Sequence, residues 1–271
     1  FMAREGARLV AVASKPKTSE DTVRFLAEQG YDALAVTADT THEPDVERAV
    51  AESLRRFGRI DVMLYVAGRQ IRQEVMNQEL DAWERQFKVY LTGAMLATKH
   101  AARAMTEKGV AGSIIYILSD AAHQGEAGNA CYSAAKAGLL NFSRAAAMEF
   151  ARHGIRVNSL SPTYMEQNLW MWGAPKLSIE RGPYNLGVDD FIEGIPLGRP
   201  CTTADVANAA IFLASDEASY LTAVDLPLDG GARAKYWPWT PGKYTGMNAS
   251  RYLEKMTLKR YRVQVADPPG D

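Results

Sequence analysis

Cysteine is scarce in this chain: Cys131 and Cys201 are the only two in 271 residues. With no Cys-x-x-Cys pair and four dispersed histidines, nothing resembles a disulfide framework or a zinc-ligand cluster. No metal is therefore expected, and a reduced, cytoplasmic setting is the default. Net charge is nearly absent too, at −1, so no global attraction to nucleic acid or to an anionic membrane is implied. No apolar run approaches the roughly 20 residues that cross a bilayer, and no basic-then-apolar signal segment opens the chain. Internal repeats and low-complexity tracts are also missing. What is present is 47% hydrophobic residues, enough for one sizeable α/β core.

The informative stretch runs from Ser113 to Lys136. Ser113-Ile-Ile-Tyr-Ile-Leu118 is short and β-branched and reads as a buried strand. Ser119 then lies at its carboxyl end, where open α/β sheets hold their ligands. After a loop containing Gly and Asn, the Ala-rich run Ala130 to His153 reads as a helix. Tyr132 and Lys136 are four residues apart near its start and project from one face. A phenol beside a fixed ammonium is easier to deprotonate, because the positive charge favours phenolate. Such a phenol can give or take a proton, and a serine hydroxyl aimed at the same point can hydrogen-bond a developing oxyanion. Tyr-x-x-x-Lys alone is uninformative, being common as an exposed helical pair. The preceding strand, and a serine thirteen residues before Tyr132, make it specific.

With those elements the chain resembles the classical short-chain dehydrogenase/reductase family, from its first residues to about Gly231. The resemblance implies a Rossmann-like, doubly wound parallel sheet in three αβα layers. It implies a nicotinamide-dependent oxidoreductase interconverting a secondary alcohol and a ketone, with Ser119, Tyr132 and Lys136 as the catalytic set. Tyr132 and Lys136 would also contact the nicotinamide ribose side of the cofactor. The family begins with a strand and a glycine-rich phosphate-binding turn, and no Gly-x-x-x-Gly-x-Gly occurs anywhere here. The chain opens instead on Phe1, in what reads as a last helical turn stopped by Gly6. It is accordingly expected to be the remainder of a longer chain, N-terminally incomplete, and the strand it lacks is the central one of such a sheet.

Strand Leu9–Ala13 leads into Ser14-Lys15-Pro16-Lys17. A dinucleotide site places an acid here for the adenosine ribose. With none present, Ser14 and Lys15 become the cofactor candidates, with Lys15 or Lys17 facing a 2′-phosphate or simply lying on a solvated turn. That favours NADP slightly over NAD. Helices are expected over Ser19 to Gln29 and Pro44 to Phe57, with strands over Ala33 to Ala38 and Ile60 to Val66. Asp39, with Thr40 beside it, matches the family's adenine contact; a turn or helix-cap role is the other reading. Ala67-Gly68 permits close approach of backbone to the cofactor, and Pro162 stands where the family's loop meets the nicotinamide.

Several positions depart from the family. Tyr65 and Val66 replace the amides of Asn-Asn-Ala-Gly, and Thr163 replaces a glycine. One long helix is expected from Leu80 to Lys108, where Tyr90 stands in place of the relay asparagine. The absent glycine turn, Val66 and Tyr90 support a rival reading, a catalytically silent subunit kept for assembly. Farther on, Tyr164 to Ile195, with Trp170 and Trp172, reads as a substrate lid or a packed surface loop, and its aromatics suggest an apolar or aromatic small molecule. A helix over Thr203 to Ala214 and a strand over Tyr220 to Leu228 follow. The organisation is one domain, residues 1–232, and an aromatic-rich tail, residues 233–271. Small residues on the helices around Ala94 to Ala102 and Ala134 to Ala147 point to a two-fold homodimer or homotetramer.

Overall fold

A computed structural model describes residues 1–68, 70–165, 192 and 194–234; the aromatic-rich segment read as a lid falls mostly outside these residues, and the tail falls almost wholly outside them. In chain order the elements are β1 (Leu9–Ala13), α1 (Pro16–Glu28), β2 (Ala33–Thr37), α2 (Glu43–Phe57), β3 (Val62–Tyr65) and α3 (Leu80–Phe87). A π-helical turn over Lys88–Thr92 leads into α4 (Gly93–Glu107), β4 (Ser113–Ile117), α5 (Ala130–Phe150), β5 (Arg156–Pro162), α6 (Thr203–Ala214) and β6 (Asp225–Leu228).

Among the described residues every strand pairing is parallel. They form two pieces, β1-β2 and β3-β4-β5-β6. The break falls between β1 and β3, where the resemblance puts the family's central strand. Among the described residues β1 and β3 each pair on one side only, and their side chains are less covered than those of the inner strands β4 and β5. Val12 is 44% exposed and Leu64 37%, whereas β5 is buried almost throughout.

Alternation along β4 shows the three layers. Ile114 and Tyr116 face a core with Met105 of α4 and with Leu139 and Ala147 of α5. Ile115 faces the opposite layer, with Leu160, Ala210 and Leu213, and Ile117 packs there too. Both faces are covered, which is why the sequence of this strand reads as a continuous apolar run instead of alternating.

Two expected elements differ. The helix from residue 80 is interrupted at Lys88–Thr92, where the Tyr65 hydroxyl donates to the Val89 carbonyl (2.6 Å), an acceptor that a regular helical turn would have satisfied internally. The final strand is shorter than Tyr220 to Leu228. Ala223 takes a left-handed backbone (φ 62°), and the buried Asn158 side chain bonds Leu221 O (2.8 Å) and Val224 N (3.0 Å), so that regular pairing starts only at Asp225.

Candidate active site

The residues expected to bind or react collect at the carboxyl ends of the parallel strands. Ser14 and Lys15 follow β1, Asp39 and Thr40 follow β2, Ala67 and Gly68 follow β3, Ser119 follows β4, and Pro162 ends β5. This is the edge at which α/β sheets take ligands.

Ser119 caps the short turn Asp120–Ala122, its Oγ accepting from Ala121 N (3.2 Å). Its hydroxyl also lies near enough to Tyr132 to pull that phenol's pKa down, so the two groups face one another. Lys136, 5% exposed, sends its ammonium behind them to the Ile117 carbonyl at the end of β4 (2.6 Å). Lys136 Nζ lies 5.6 Å from the centre of the Tyr132 ring and 4.6 Å from that of Tyr90. Tyr90 meets Tyr132 edge to face, with centroids 5.2 Å apart and planes at 77°. The structure places the three residues singled out by spacing next to one another, and Tyr90 joins them from the π turn.

The electrostatics differ from the simple expectation of a phenol lowered by its lysine. Burial dominates and raises the Tyr132 pKa; the Ser119 hydroxyl and the Arg72 charge pull it down, and Glu126 pushes it up. Burial alone lowers Lys136, to about 7 from its ordinary 10.5. The reason is physical: the ammonium is withdrawn from water with a carbonyl and aromatic faces around it, so its own charged form is disfavoured.

The other candidates divide. Asp39 Oδ1 accepts from Thr41 N (2.9 Å) and from the Thr41 hydroxyl (2.8 Å), the turn role. Thr40 Oγ1 lies 3.2 Å from the Tyr65 hydroxyl. Ser14 and Lys15 are exposed, Lys15 preceding α1 as its N-cap position. Gly68 is explained from within the protein: an added Cβ would fall inside the Tyr90 ring. Pro162 is buried and pairs with Leu228, and Thr163 bonds the carboxyl of Asp120, next to Ser119. A nicotinamide dinucleotide fits this row at its adenosine end (Ser14, Lys15, Asp39, Thr40) and its nicotinamide end (Ala67, Gly68, Tyr132, Lys136, Pro162), the exposed Ser14, Lys15, Asp39 and Gly68 leaving the strand ends open.

Sequence reasoning missed two features. Behind Ser119, His123 Nε2 meets Asp225 Oδ2 (2.8 Å), and Asp225 Oδ1 accepts from Ser159 (2.7 Å) and Ser161 (2.8 Å). Arg233 Nε lies 3.2 Å from Asp120 and 3.3 Å from Asp229. The signal was the polar run Asn158, Ser159 and Ser161 inside a strand that is nonetheless buried, which demands polar partners. Beside Tyr132, Arg72 and Glu126 form an ion pair (2.6 Å), and Gln73 bridges Asn129, stitching the loop after Gly68 to the loop before α5.

The family profile described as Enoyl-(Acyl carrier protein) reductase matches residues 1–233. Cis-4-hydroxycyclohexanecarboxylate dehydrogenase of Sinomonas cyclohexanicum is 33% identical over 240 residues, covering 86% of this chain and 90% of that protein. Acetoacetyl-CoA reductase of Allochromatium vinosum is 34% identical over 232 residues, covering 85% and 90%. A crystal structure of gluconate 5-dehydrogenase from Burkholderia cenocepacia, in complex with NADP and tartrate, superposes with a TM-score of 0.78 at 27% identity, covering 87% of this chain and 89% of that one. Among the described residues no helix is long and apolar enough to cross a membrane. By its profile, its relatives and its parallel α/β fold, the chain belongs to the classical short-chain dehydrogenase/reductase family of nicotinamide-dependent oxidoreductases.

Proposed function

We propose that the chain interconverts a secondary alcohol and a ketone, with Tyr132 as the acid/base. The observation that carries this is the meeting of the Ser119 and Tyr132 hydroxyls over the buried Lys136. Nicotinamide, when bound, supplies or accepts the hydride. In the reducing direction the Tyr132 phenol, kept protonated by burial, hydrogen-bonds the substrate carbonyl and transfers its proton to that oxygen. Ser119 donates to the same oxygen and holds it while charge builds there. Lys136, when protonated, stabilises the phenolate that remains, and its bond to Ile117 O fixes where that charge sits. Sheet and α5 hold these groups before substrate arrives, so little reorganisation accompanies the step.

The substrate is a small molecule. The aromatic segment behind an apolar preference lies mainly outside the described residues, and the described mouth carries the Arg72–Glu126 pair. The absence of an acid after β1 and the exposed Lys15 support NADP over NAD. Small residues on α4 and α5 flank a groove with Met95, Phe142 and Phe150, a surface suited to a second copy of the chain. Tyr132→Phe in the full chain is the direct test. Turnover of a responsive alcohol should fall by at least a thousandfold, the upper part of the range for general acid–base catalysis, with the fold unchanged by circular dichroism. Retained turnover would remove Tyr132 from the chemistry.

A further inference from the structure

Tyr90 stands where the family carries an asparagine, yet it is the residue in closest company with the catalytic pair. Resting on the reading of Tyr132 and Lys136 above, we propose that Tyr90 is a positioning residue whose ring face seats the Lys136 ammonium.

Four observations converge. First, Tyr90 lies in the π turn Lys88–Thr92, where the extra residue rotates the side chain relative to a regular helix. Second, the ring is locked: Tyr90 is 4% exposed, and it occupies the volume that a side chain at position 68 would need. Third, Lys136 Nζ is nearer to the Tyr90 ring than to the Tyr132 ring, 4.6 against 5.6 Å. Fourth, among the described residues this three-donor group donates to Ile117 O alone, and no carboxylate contributes to its electrostatics. A buried cation with one carbonyl partner is stabilised by an aromatic face within about 6 Å, the more so when desolvated.

The titratable groups against the ammonium are the Tyr90 ring from the π turn and the Tyr132 ring from α5. Tyr65 from β3 and Cys131 from α5 act on Tyr90 in turn, and Ser119, Arg72 and Glu126 act on Tyr132. Tyr65, Tyr90, Cys131 and Tyr132 are neutral near pH 7, burial having raised the four acids. The seat is therefore a quadrupole, without a counter-ion. A ring of this kind holds a cation in place but cannot relay its proton, because the Tyr90 phenol is pushed far above its ordinary range by burial. Ring and asparagine thus differ in what they offer: position without a proton path.

The test uses the full chain labelled with ¹³Cε-lysine, following the Lys136 titration by NMR, with Lys136→Met to assign the signal. Position 90 carries phenylalanine, then mono-, di- and trifluorophenylalanine, which weaken the ring's negative face at nearly constant size. The expected result is an unchanged Lys136 midpoint in Tyr90→Phe and a stepwise fall with each fluorine, reaching about one pH unit, equivalent to about 1.4 kcal/mol. Tyr90→Leu should lower the midpoint comparably. A midpoint that ignores fluorination, or that moves as much in Tyr90→Phe as in Tyr90→Leu, would overturn the proposal. Because the readout is a titration, it stands or falls separately from the turnover lost in Tyr132→Phe.

Discussion

Replacing Lys136 should make this protein more stable below neutral pH. Lys136 is fully withdrawn from water, and burial brings its pKa from 10.5 to about 7. At about 1.4 kcal/mol per pH unit, that shift corresponds to roughly 5 kcal/mol of destabilisation when the folded protein must carry the charge. Lys136→Met keeps an unbranched apolar side chain of similar length and removes the ammonium. It also leaves the Ile117 carbonyl without its donor, which costs about 1 kcal/mol. The net gain expected at pH 6 is about 4 kcal/mol, in line with other replacements of buried charge by apolar groups.

The sign follows from proton counting. The unfolded chain keeps the proton up to about pH 10.5, while the folded chain releases it near 7. Between these values the unfolded state binds more protons, so the stability of the unaltered protein rises with pH. The destabilisation is complete below pH 7 and gone above 10.5. The advantage of the methionine variant should therefore shrink by about 1.4 kcal/mol per pH unit across that window and vanish near pH 10. Urea unfolding at pH 6, 7.5, 9 and 10 measures it, with equal m-values confirming comparable unfolding. A variant less stable than the parent at pH 6, or a difference that does not change with pH, would refute the reasoning.

Gly68→Ala should destabilise by about 1–3 kcal/mol, since its Cβ enters the Tyr90 ring, and Tyr90→Ala in the same chain should recover most of that in chemical denaturation; equal losses with and without Tyr90 would exclude this contact as the cause. Calorimetric dissociation constants should favour NADP over NAD, and Lys15→Ala should remove about tenfold of that preference; tighter NAD binding in the unaltered chain would reverse the assignment. Light scattering should show a dimer or tetramer, reduced to a smaller species by Phe142→Glu in the α4–α5 groove; a monomer at the outset would remove the interface.

Much of the fold was readable because its signals are local. The limits of α6 coincide with the expectation, since Thr202 and Asp205 form a reciprocal capping box before an apolar run. Ser119, Tyr132 and Lys136 were readable because one strand and one helix carry all three. The interruption at Lys88–Thr92 was not, because both flanks keep a helical pattern and the cause, the Tyr65 hydroxyl, comes from β3. The His123–Asp225 contact joins residues 102 positions apart, beyond the reach of any periodicity. Gly68 was read as permitting a cofactor's approach; that its missing Cβ also accommodates a tyrosine is visible only from a three-dimensional neighbour.

The departures from the family form a physical set, which bears on whether this site has decayed. Tyr65 replaces an amide, and its hydroxyl holds the Val89 carbonyl in the turn that aims Tyr90. Gly93 opens that turn's far side, where an added Cβ would strike the Tyr65 hydroxyl and Thr40. Tyr90 fills the space beside Gly68 and faces Lys136. Thr163, in place of a glycine, bonds Asp120 beside Ser119. Independent losses in a disused cleft would leave cavities where side chains had been cut back. Here Tyr65 has a partner for its hydroxyl and Tyr90 has a neighbour on each side, while Ser119, Tyr132 and Lys136 keep their mutual positions. A site rebuilt around a tyrosine accounts for all of these substitutions together, and a silent scaffold gives no reason for their fit.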